Sequence, residues 1–318
     1  MSRKRRDDST AAARLDGVLV VDKPAGLTSH DVVDVIRRRL DMRKVGHTGT
    51  LDPDATGVLP LCLGRATKIV RFLINEDKEY EATLHLGVTT TTQDASGEVV
   101  DRRDVDVSCE DFQAVLARFT GEIQQIPPMV SAVHHEGKRL YQLARKGIEV
   151  PREPRGVTIH ELVTLSCDIP DVTIRVACSK GTYIRTLCAD IGEALGCGAH
   201  QLSLRRIRSG GFTVGQAAPL DDIGTLDDAL ARLIPIDRAL DHIPAVRLKP
   251  GLEVRAGRGE LVYGIDLADR PPGPLPDLVR IEDAAGRLVS VAQPDPARAG
   301  ALKSVRVFAR ASRPKAGY

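Results

Sequence analysis

The chain has 318 residues and a mass of 34.4 kDa, enough for about two domains, and its 42% hydrophobic content can bury a sizeable core. Lys and Arg number 45 against 43 Asp and Glu, a net charge of +2 that does not by itself mark a nucleic-acid binder. Five Phe, five Tyr and no Trp exclude a surface paved with stacking rings.

No run approaches the roughly 18 consecutive apolar residues of a membrane span. The start, MSRKRRDDSTAAARLDG, carries the basic cluster of a signal peptide without an apolar stretch after it. Residues 1–14 are therefore expected to form a disordered basic tail, or alternatively an arm that touches RNA. The six cysteines form no CxxC pair, and none sits at zinc-ligand spacing with a His. Reduced thiols in a cytoplasmic protein are the simplest expectation.

In chain order, GVLVV (17–21) reads as a buried strand that ends at the Lys23-Pro24 turn. Ser29 can cap a helix with Val32, Val33, Ile36 and Leu40 on one face. A glycine-rich loop, 46–57, precedes a short apolar strand over 58–63, and 65–74 has helical spacing through Ile69, Val70 and Leu73. Residues 80–86 alternate as a strand. Ser108 and Asp111 form a capping box before Phe112, Val115, Leu116 and Phe119. Strands are predicted at 157–167, 172–178 and 201–214, with helices at 182–195 and 227–233. From 245 onward short alternating runs (246–248, 278–281, 288–292, 305–308) alternate with turn chemistry such as Arg270-Pro-Pro-Gly-Pro. That pattern suits a small all-β domain after a mixed α+β domain spanning 15–243.

The segment GHTGTLDPDATGVLPLCLGRATK (46–68) gathers Gly, Thr, Asp and His where the backbone must bend sharply. Loops on a rigid scaffold are where catalytic side chains concentrate, although Asp52-Pro53 alone is an ordinary turn initiator. Asp52, Asp54, Thr56 and Gly57 fit the start of a calcium loop, but Leu63 stands where its bidentate Glu is required, which excludes an EF-hand. Asp52-Pro-Asp54-Ala-Thr56 also matches the DxDxT nucleophile motif of haloacid dehalogenase-like phosphatases. In that family the apolar strand precedes the motif; here it follows.

The same segment resembles the catalytic motif of the TruB family of pseudouridine synthases, which modify uridine 55 in the TΨC arm of tRNA. GVLVVDKPAGLTSHDVV (17–33), KEYEATLHLG (78–87), QIPPMVSAVHHEGKRLYQLARKGIEVPR (125–152) and CSKGTYIRTLCADIGEALGCGAHQLSLRRIRSG (178–210) resemble, in the same order, four further blocks of that family. The likeness covers most of 15–215. It implies an α+β catalytic domain with a mixed, largely antiparallel sheet over 15–243, carrying an RNA-gripping insertion at about 125–155. It further implies a small β-rich, PUA-like domain over 244–318.

The resemblance places Asp52 as nucleophile, Arg185 as its cationic partner and Tyr80 as the ring against which the target uracil stacks. Pseudouridylation adds and removes nothing, so no cofactor or metal is expected, and no GxGxxG or Walker loop is present. The uridine must leave its stack to be reached, and His47 is implied to fill the gap. Alone, that residue reads as a solvated turn histidine. Lys23 is implied to contact phosphate or to order the loop, and Tyr183 and Leu204 to bind substrate. Lys138, Arg139, Arg145 and Lys146 lie in a stretch, 138–155, with six basic residues and two acids. With Arg205, Arg206 and Arg208 they suggest a tRNA track. The near-neutral total is thus an average over zones: residues 138–155 net +4 and 297–318 net +6, against −5 for 93–111 and −4 for 221–241. The expected partner is the TΨC stem-loop of tRNA, with no membrane, no required protein partner and a monomeric state. A non-catalytic RNA-binding protein and a Mg²⁺-dependent phosphatase using Asp52 and Asp54 are the alternatives.

Overall fold

The computed structural model describes residues 15–131, 134–135, 137–144, 146–269 and 273–308. The expected N-terminal tail and the last ten residues of the basic C-terminal stretch lie outside the described residues. The chain opens with β1 (Gly17–Lys23), α1 (Ser29–Arg39), β2 (Val45–His47) and β3 (Thr56–Leu63). A 3₁₀ stretch (Gly64–Ile69) then runs into one α turn, α2 (Val70–Leu73), and the long strand β4 (Lys78–Leu86). The hairpin β5 (Val88–Thr90) and β6 (Val99–Arg102) precedes α3 (Cys109–Leu116) and β7 (Gly121–Gln125). Between β7 and β10 (Arg155–Asp168) lie β8 (His134–His135), β9 (Lys138–Arg139) and α4 (Leu140–Ala144). β11 (Asp171–Cys178), α5 (Ile184–Ala194), β12 (Ala199–Ser209), β13 (Phe212–Thr213) and β14 (Ala218–Pro219) follow, then α6 (Leu226–Ala231), β15 (Ile234–Pro235) and α7 (Ile236–Ala239).

Of these strands, β5 with β6 and β8 with β9 form separate two-stranded sheets, and the other eleven form one sheet in the order β14-β1-β3-β12-β4-β11-β10-β7, with β2, β13 and β15 alongside. Its pairings are antiparallel except β1 with β14 and β3 with β12. The mixed, largely antiparallel α+β architecture is the one expected. β1 and β3 are buried on both faces, which is why they read as unbroken apolar runs instead of alternating ones. Leu19, Val21, Leu59 and Leu61 face α1 and α6, while Val18, Val20, Val58 and Cys62 share a cluster with Ala66, Ile69, Phe72 and Leu240 that Val291 and Phe308 join. β4, half-covered, alternates strictly, and its buried side packs with α3 and α5.

The second sheet begins at β16 (Ala245–Leu248) and continues, after the single α turn α8 (Glu253–Gly257), with β17 (Val262–Tyr263), β18 (Leu267–Asp269), β19 (Val279–Glu282), β20 (Leu288–Pro294) and β21 (Ala301–Val307). Its order is β17-β21-β20-β19-β16-β18. α8 is a departure from the expected all-β pattern. Val291 and Phe308 share a buried cluster with Val18, Val58 and Ile69, so the two sheets meet through apolar side chains.

Three local expectations are corrected. The cap of α1 is Thr28, whose hydroxyl accepts from the Asp31 amide at 3.1 Å while Asp31 accepts from the Thr28 amide at 2.8 Å. Such a cap is worth about 1 kcal/mol. Ser29 lies inside the helix and turns toward the glycine-rich loop. The 65–74 segment is mostly 3₁₀, tightened where Thr67 Oγ1 donates to the Gly64 carbonyl at 2.8 Å. The thiols are not all reduced: packing of α3 against the end of β10 brings Cys109 and Cys167 into a disulfide, with 6.1 Å between their Cα atoms. A separation of 58 residues leaves no local motif to announce that bond. Cys62, Cys178, Cys188 and Cys197 are free and buried.

Candidate active site

The loop between β2 and β3 carries Asp52; Leu51 and Ala55 sink into the core on either side of it, and polar contacts fix its backbone. Lys23, at the end of β1, is fully buried and donates to the carbonyls of Pro24 (2.8 Å), Leu27 (2.5 Å) and Pro53 (2.7 Å). The Gly26 amide donates to the same Pro53 carbonyl at 3.0 Å. Ser29 brackets the residue before Asp52: its hydroxyl accepts from the Leu51 amide at 2.8 Å and donates to the Leu51 carbonyl at 3.2 Å. From β12, Arg206 donates to the carbonyls of Gly49 (3.1 Å), Thr50 (3.5 Å) and Val58 (2.7 Å). Gly57, at φ +101°, admits β12 alongside, because a Cβ there would lie 2.2 Å from the Arg206 carbonyl oxygen.

So held, Asp52 meets Arg185 from the first turn of α5. Arg185 Nε lies 3.0 Å from Asp52 Oδ2, and one Nη donates to Oδ1 at 3.4 Å. The same Nη donates to the Val130 carbonyl at 2.8 Å, and the other reaches Asp94 Oδ2 and the Thr92 carbonyl, both at 3.2 Å. The Arg185 side chain is 4% exposed and that of Asp52 is 40% exposed. The geometry is a planar fork along one carboxylate with a second carboxylate on its far side. Burial raises the Asp52 pKa above the ordinary carboxylate value; Arg185 opposes that rise and Asp94 adds to it.

Asp52, Tyr80, Tyr183, Arg185, Leu204 and Arg206 line one cavity of about 280 Å³. Tyr80, 9% exposed, stands on the buried face of β4 directly opposite Arg206 on β12. Burial pushes its phenol upward, with Arg206 opposing through charge and a hydrogen bond. Tyr183 caps α5, its backbone amide and carbonyl paired with the Gln125 side chain at 3.0 and 3.2 Å. Lys78, two residues before Tyr80 on the same face, also borders the cavity; burial pushes it down to about 8.

Among the expected site residues, His47, Lys23 and Lys146 do not line this cavity. His47, at the end of β2, is half-buried, and its Nδ1 accepts from the Gly49 amide at 3.3 Å. Burial, reinforced by Arg206, lowers its pKa. Lys23, with all three protons on carbonyls, fits loop ordering and not phosphate contact; burial pushes it down to about 8 while Asp54 and Asp52 oppose. Lys146 is exposed just past α4. Lys138 and Arg139 are placed by backbone in β9, and Arg145 lies outside the described residues.

The supposed arginine track on β12 is corrected. Arg205 pairs with Asp22 at 2.6 Å, Arg208 with Glu79 at 3.1 Å, and Arg206 is buried. Alternation turns Arg205 and Arg206 to opposite sides of the sheet, and an irregularity in register between Arg206 and Arg208 returns Arg208 to the side of Arg205. Asp54, the second carboxylate of the phosphatase alternative, is exposed and lines no part of the cavity. Among the described residues no cluster of His, Cys, Asp and Glu could hold a metal ion.

Asp94 was missed from sequence, where it counted only as one of seven acids in 93–111. The signal available was its turn chemistry: Asp94 Oδ1 accepts from Thr92 Oγ1 (2.6 Å), Ser96 Oγ (2.6 Å) and the Ser96 amide (3.0 Å). Ser29 was read as a cap and Arg206 as surface charge; both hold the Asp52 loop.

Comparison with known proteins gives the family. The family model described as TruB family pseudouridylate synthase (N terminal domain) matches residues 37–184, and that of the tRNA pseudouridylate synthase B C-terminal domain matches 185–241. The two matches meet within α5, inside the first sheet's domain. The tRNA pseudouridine synthase B of Burkholderia pseudomallei (strain 668) is 52% identical over 287 residues, 89% of this chain and 94% of that protein. The protein of the same name from Dechloromonas aromatica (strain RCB) is 49% identical over 283 residues, 88% of this chain and 92% of that one. A chain in the structure of an H/ACA RNP bound to a substrate RNA containing 2′-deoxyuridine superposes with a TM-score of 0.74 at 28% identity, covering 95% of this chain and 87% of that one. With its carboxylate–guanidinium pair and a buried tyrosine lining one cavity, and relatives aligned along nearly its full length, the chain belongs to the TruB family of pseudouridylate synthases.

Proposed function

We propose that this enzyme isomerises uridine 55 of tRNA to pseudouridine, with the Asp52 carboxylate as nucleophile. The observation that carries the reading is the Asp52–Arg185 fork facing Tyr80 across a cavity of about 280 Å³. That volume suits a single flipped base more than a larger ligand. In the reaction the bond from ribose C1′ to uracil N1 breaks, the base turns, and C1′ bonds to C5. The C5 proton departs and N1 regains one, so composition is unchanged. Asp52 attacks either C1′ or uracil C6 and is released when the new bond is complete. Arg185 keeps the half-shielded carboxylate ionised, and Tyr80 supplies a stacking face with a hydroxyl near the base.

The RNA is held through its phosphates and shape, with residues 125–155 gripping the TΨC stem-loop, His47 entering the gap left by the flipped base and the C-terminal sheet acting as a PUA-like RNA contact. Lys146, exposed in that insertion, is a described cation free of ion pairs among the described residues and open to a phosphate. The enzyme acts as a cytoplasmic monomer without a required protein partner. Among the described residues no helix is long and apolar enough to cross a membrane.

The deciding experiment incubates the purified protein with unmodified tRNA in EDTA and maps pseudouridine. Pseudouridine at position 55, lost in Asp52→Asn, supports the reading; none at 55 overturns it, and dependence on Mg²⁺ would favour phosphatase-type chemistry.

A further inference from the structure

Arg206 is the bulkiest fully buried side chain among the described residues, at 1% exposed. Buried arginines usually lie against carboxylates, because an unpaired charge is costly to take out of water. Arg206 makes no ion pair among the described residues. Its neighbours Arg205 and Arg208 do, on the opposite side of the strand. Its Nε and both Nη atoms are instead directed at three backbone carbonyls: Val58 on β3, and Gly49 and Thr50 in the loop that leads to Asp52. Its backbone is fixed as well, since it runs parallel to Gly57 where no side chain fits.

The same residue is the cross-strand partner of Tyr80, and both side chains border the catalytic cavity. Cross-strand partners on one face lie within about 5.5 Å at Cβ, close enough for the guanidinium to bond the phenol. One rigid planar group therefore touches the backbone that delivers the carboxylate and the ring proposed to face the base. A guanidinium has the five donors needed to serve both; an ammonium has three and no fixed plane.

We propose that Arg206 is a positioning residue for catalysis, locking the Gly49–Thr50 backbone and the Tyr80 phenol into one unit so that Asp52 and the ring hold a fixed separation across the bound uridine. This rests on the function proposed above. Arg206 does not touch the reacting atoms; it acts through Asp52 and Tyr80. Displacement of a reacting group by about 1 Å is enough to cost about a hundredfold in rate.

The test compares the parent enzyme with Arg206→Met, Arg206→Lys, Tyr80→Phe and the double variant Arg206→Met/Tyr80→Phe. Single-turnover pseudouridine formation is measured at saturating tRNA, with tRNA affinity by filter binding and folding by thermal melting. Arg206→Lys keeps the buried charge and guards against a Met variant that does not fold. Folded Arg206 variants are expected to lose about a hundredfold in rate with affinity within about threefold. The double variant is expected to be faster, by about tenfold or more, than the product of the single losses predicts. Near-parental rates in a folded Arg206 variant, a loss confined to affinity, or losses that simply multiply would each overturn the proposal. Parent enzyme that makes no pseudouridine at position 55 overturns instead the function on which it rests.

Discussion

Arg185 and Asp52 meet edge to edge, Nε at 3.0 Å and one Nη at 3.4 Å, while the remaining Nη is held by Asp94. The guanidinium is thereby pinned from both sides before any substrate arrives. A cation in the first turn of a helix is at the unfavourable end of the dipole, and two carboxylates offset that penalty here.

The fork predicts intolerance of a conservative change. Arg185→Lys keeps the charge but cannot bond Asp52 along one edge and Asp94 along the other. Single-turnover pseudouridine formation is expected to fall about a hundredfold or more, with tRNA affinity nearly unchanged. Parental turnover in Arg185→Lys would show that the planar geometry has no role.

Tyr80 separates into ring and hydroxyl. Tyr80→Phe is expected to bind tRNA normally and turn over about a hundredfold or more slowly if the hydroxyl moves a proton. Tyr80→Leu loses the ring too and is expected to be slower still. Equal, parental rates in both would leave Tyr80 as a packing residue alone.

The raised Asp52 pKa fixes two pH trends. As the proposed nucleophile Asp52 must be ionised, so activity is expected to fall on acidification, with a midpoint above the ordinary carboxylate value of 3.8. Between that value and the folded pKa, the folded chain binds a proton that the unfolded chain has released, so the contribution of Asp52 to stability falls as pH rises through this window. Above the window the ionised carboxylate is a standing cost. Asp52→Asn is therefore expected to be inactive yet to melt no lower than the parent near pH 8. That advantage should shrink as pH falls through the window. A melting temperature clearly below the parent at pH 8 would contradict the assigned direction.

Lys23 and Lys146 make opposite predictions in salt titrations. Lys146→Ala, removing an exposed cation beside α4, is expected to lower the slope of log affinity against log salt by about one. Lys23→Met removes the ammonium from three carbonyls, of which only Pro53 keeps another donor among the described residues, the Gly26 amide, and is expected to lower the melting temperature and the rate. Its salt slope should stay parental. A reduced slope in Lys23→Met would mean that its ammonium reaches a phosphate after all.

What could be read from sequence was what local pattern encodes. The capping box at Ser108, the alternation along β4 and the unbroken apolar runs of β1 and β3 all follow from periodicity and burial. Asp52 and Arg185 were reached through motif resemblance, and their contact spans 133 positions. Arg206 to Gly49 spans 157, Arg185 to Asp94 spans 91 and Ser29 to Leu51 spans 22. A residue whose work is done at such distances looks locally like something else: Ser29 like a cap, Arg206 like surface charge, Asp94 like one more acid. The disulfide between Cys109 and Cys167 was hidden for the same reason.

The apolar seam between the two sheets changes what a truncation can teach. Val18, Val20, Val58 and Cys62 are covered on that side by residues that include Val291 and Phe308. A protein cut after residue 243 would strip Val291 and Phe308 from this cluster and open to water the apolar side chains they cover. Such a fragment is expected to clump and lose activity for reasons of folding. The RNA contact proposed for the C-terminal sheet is better probed by swapping its outward-facing charges one at a time, with the seam left whole.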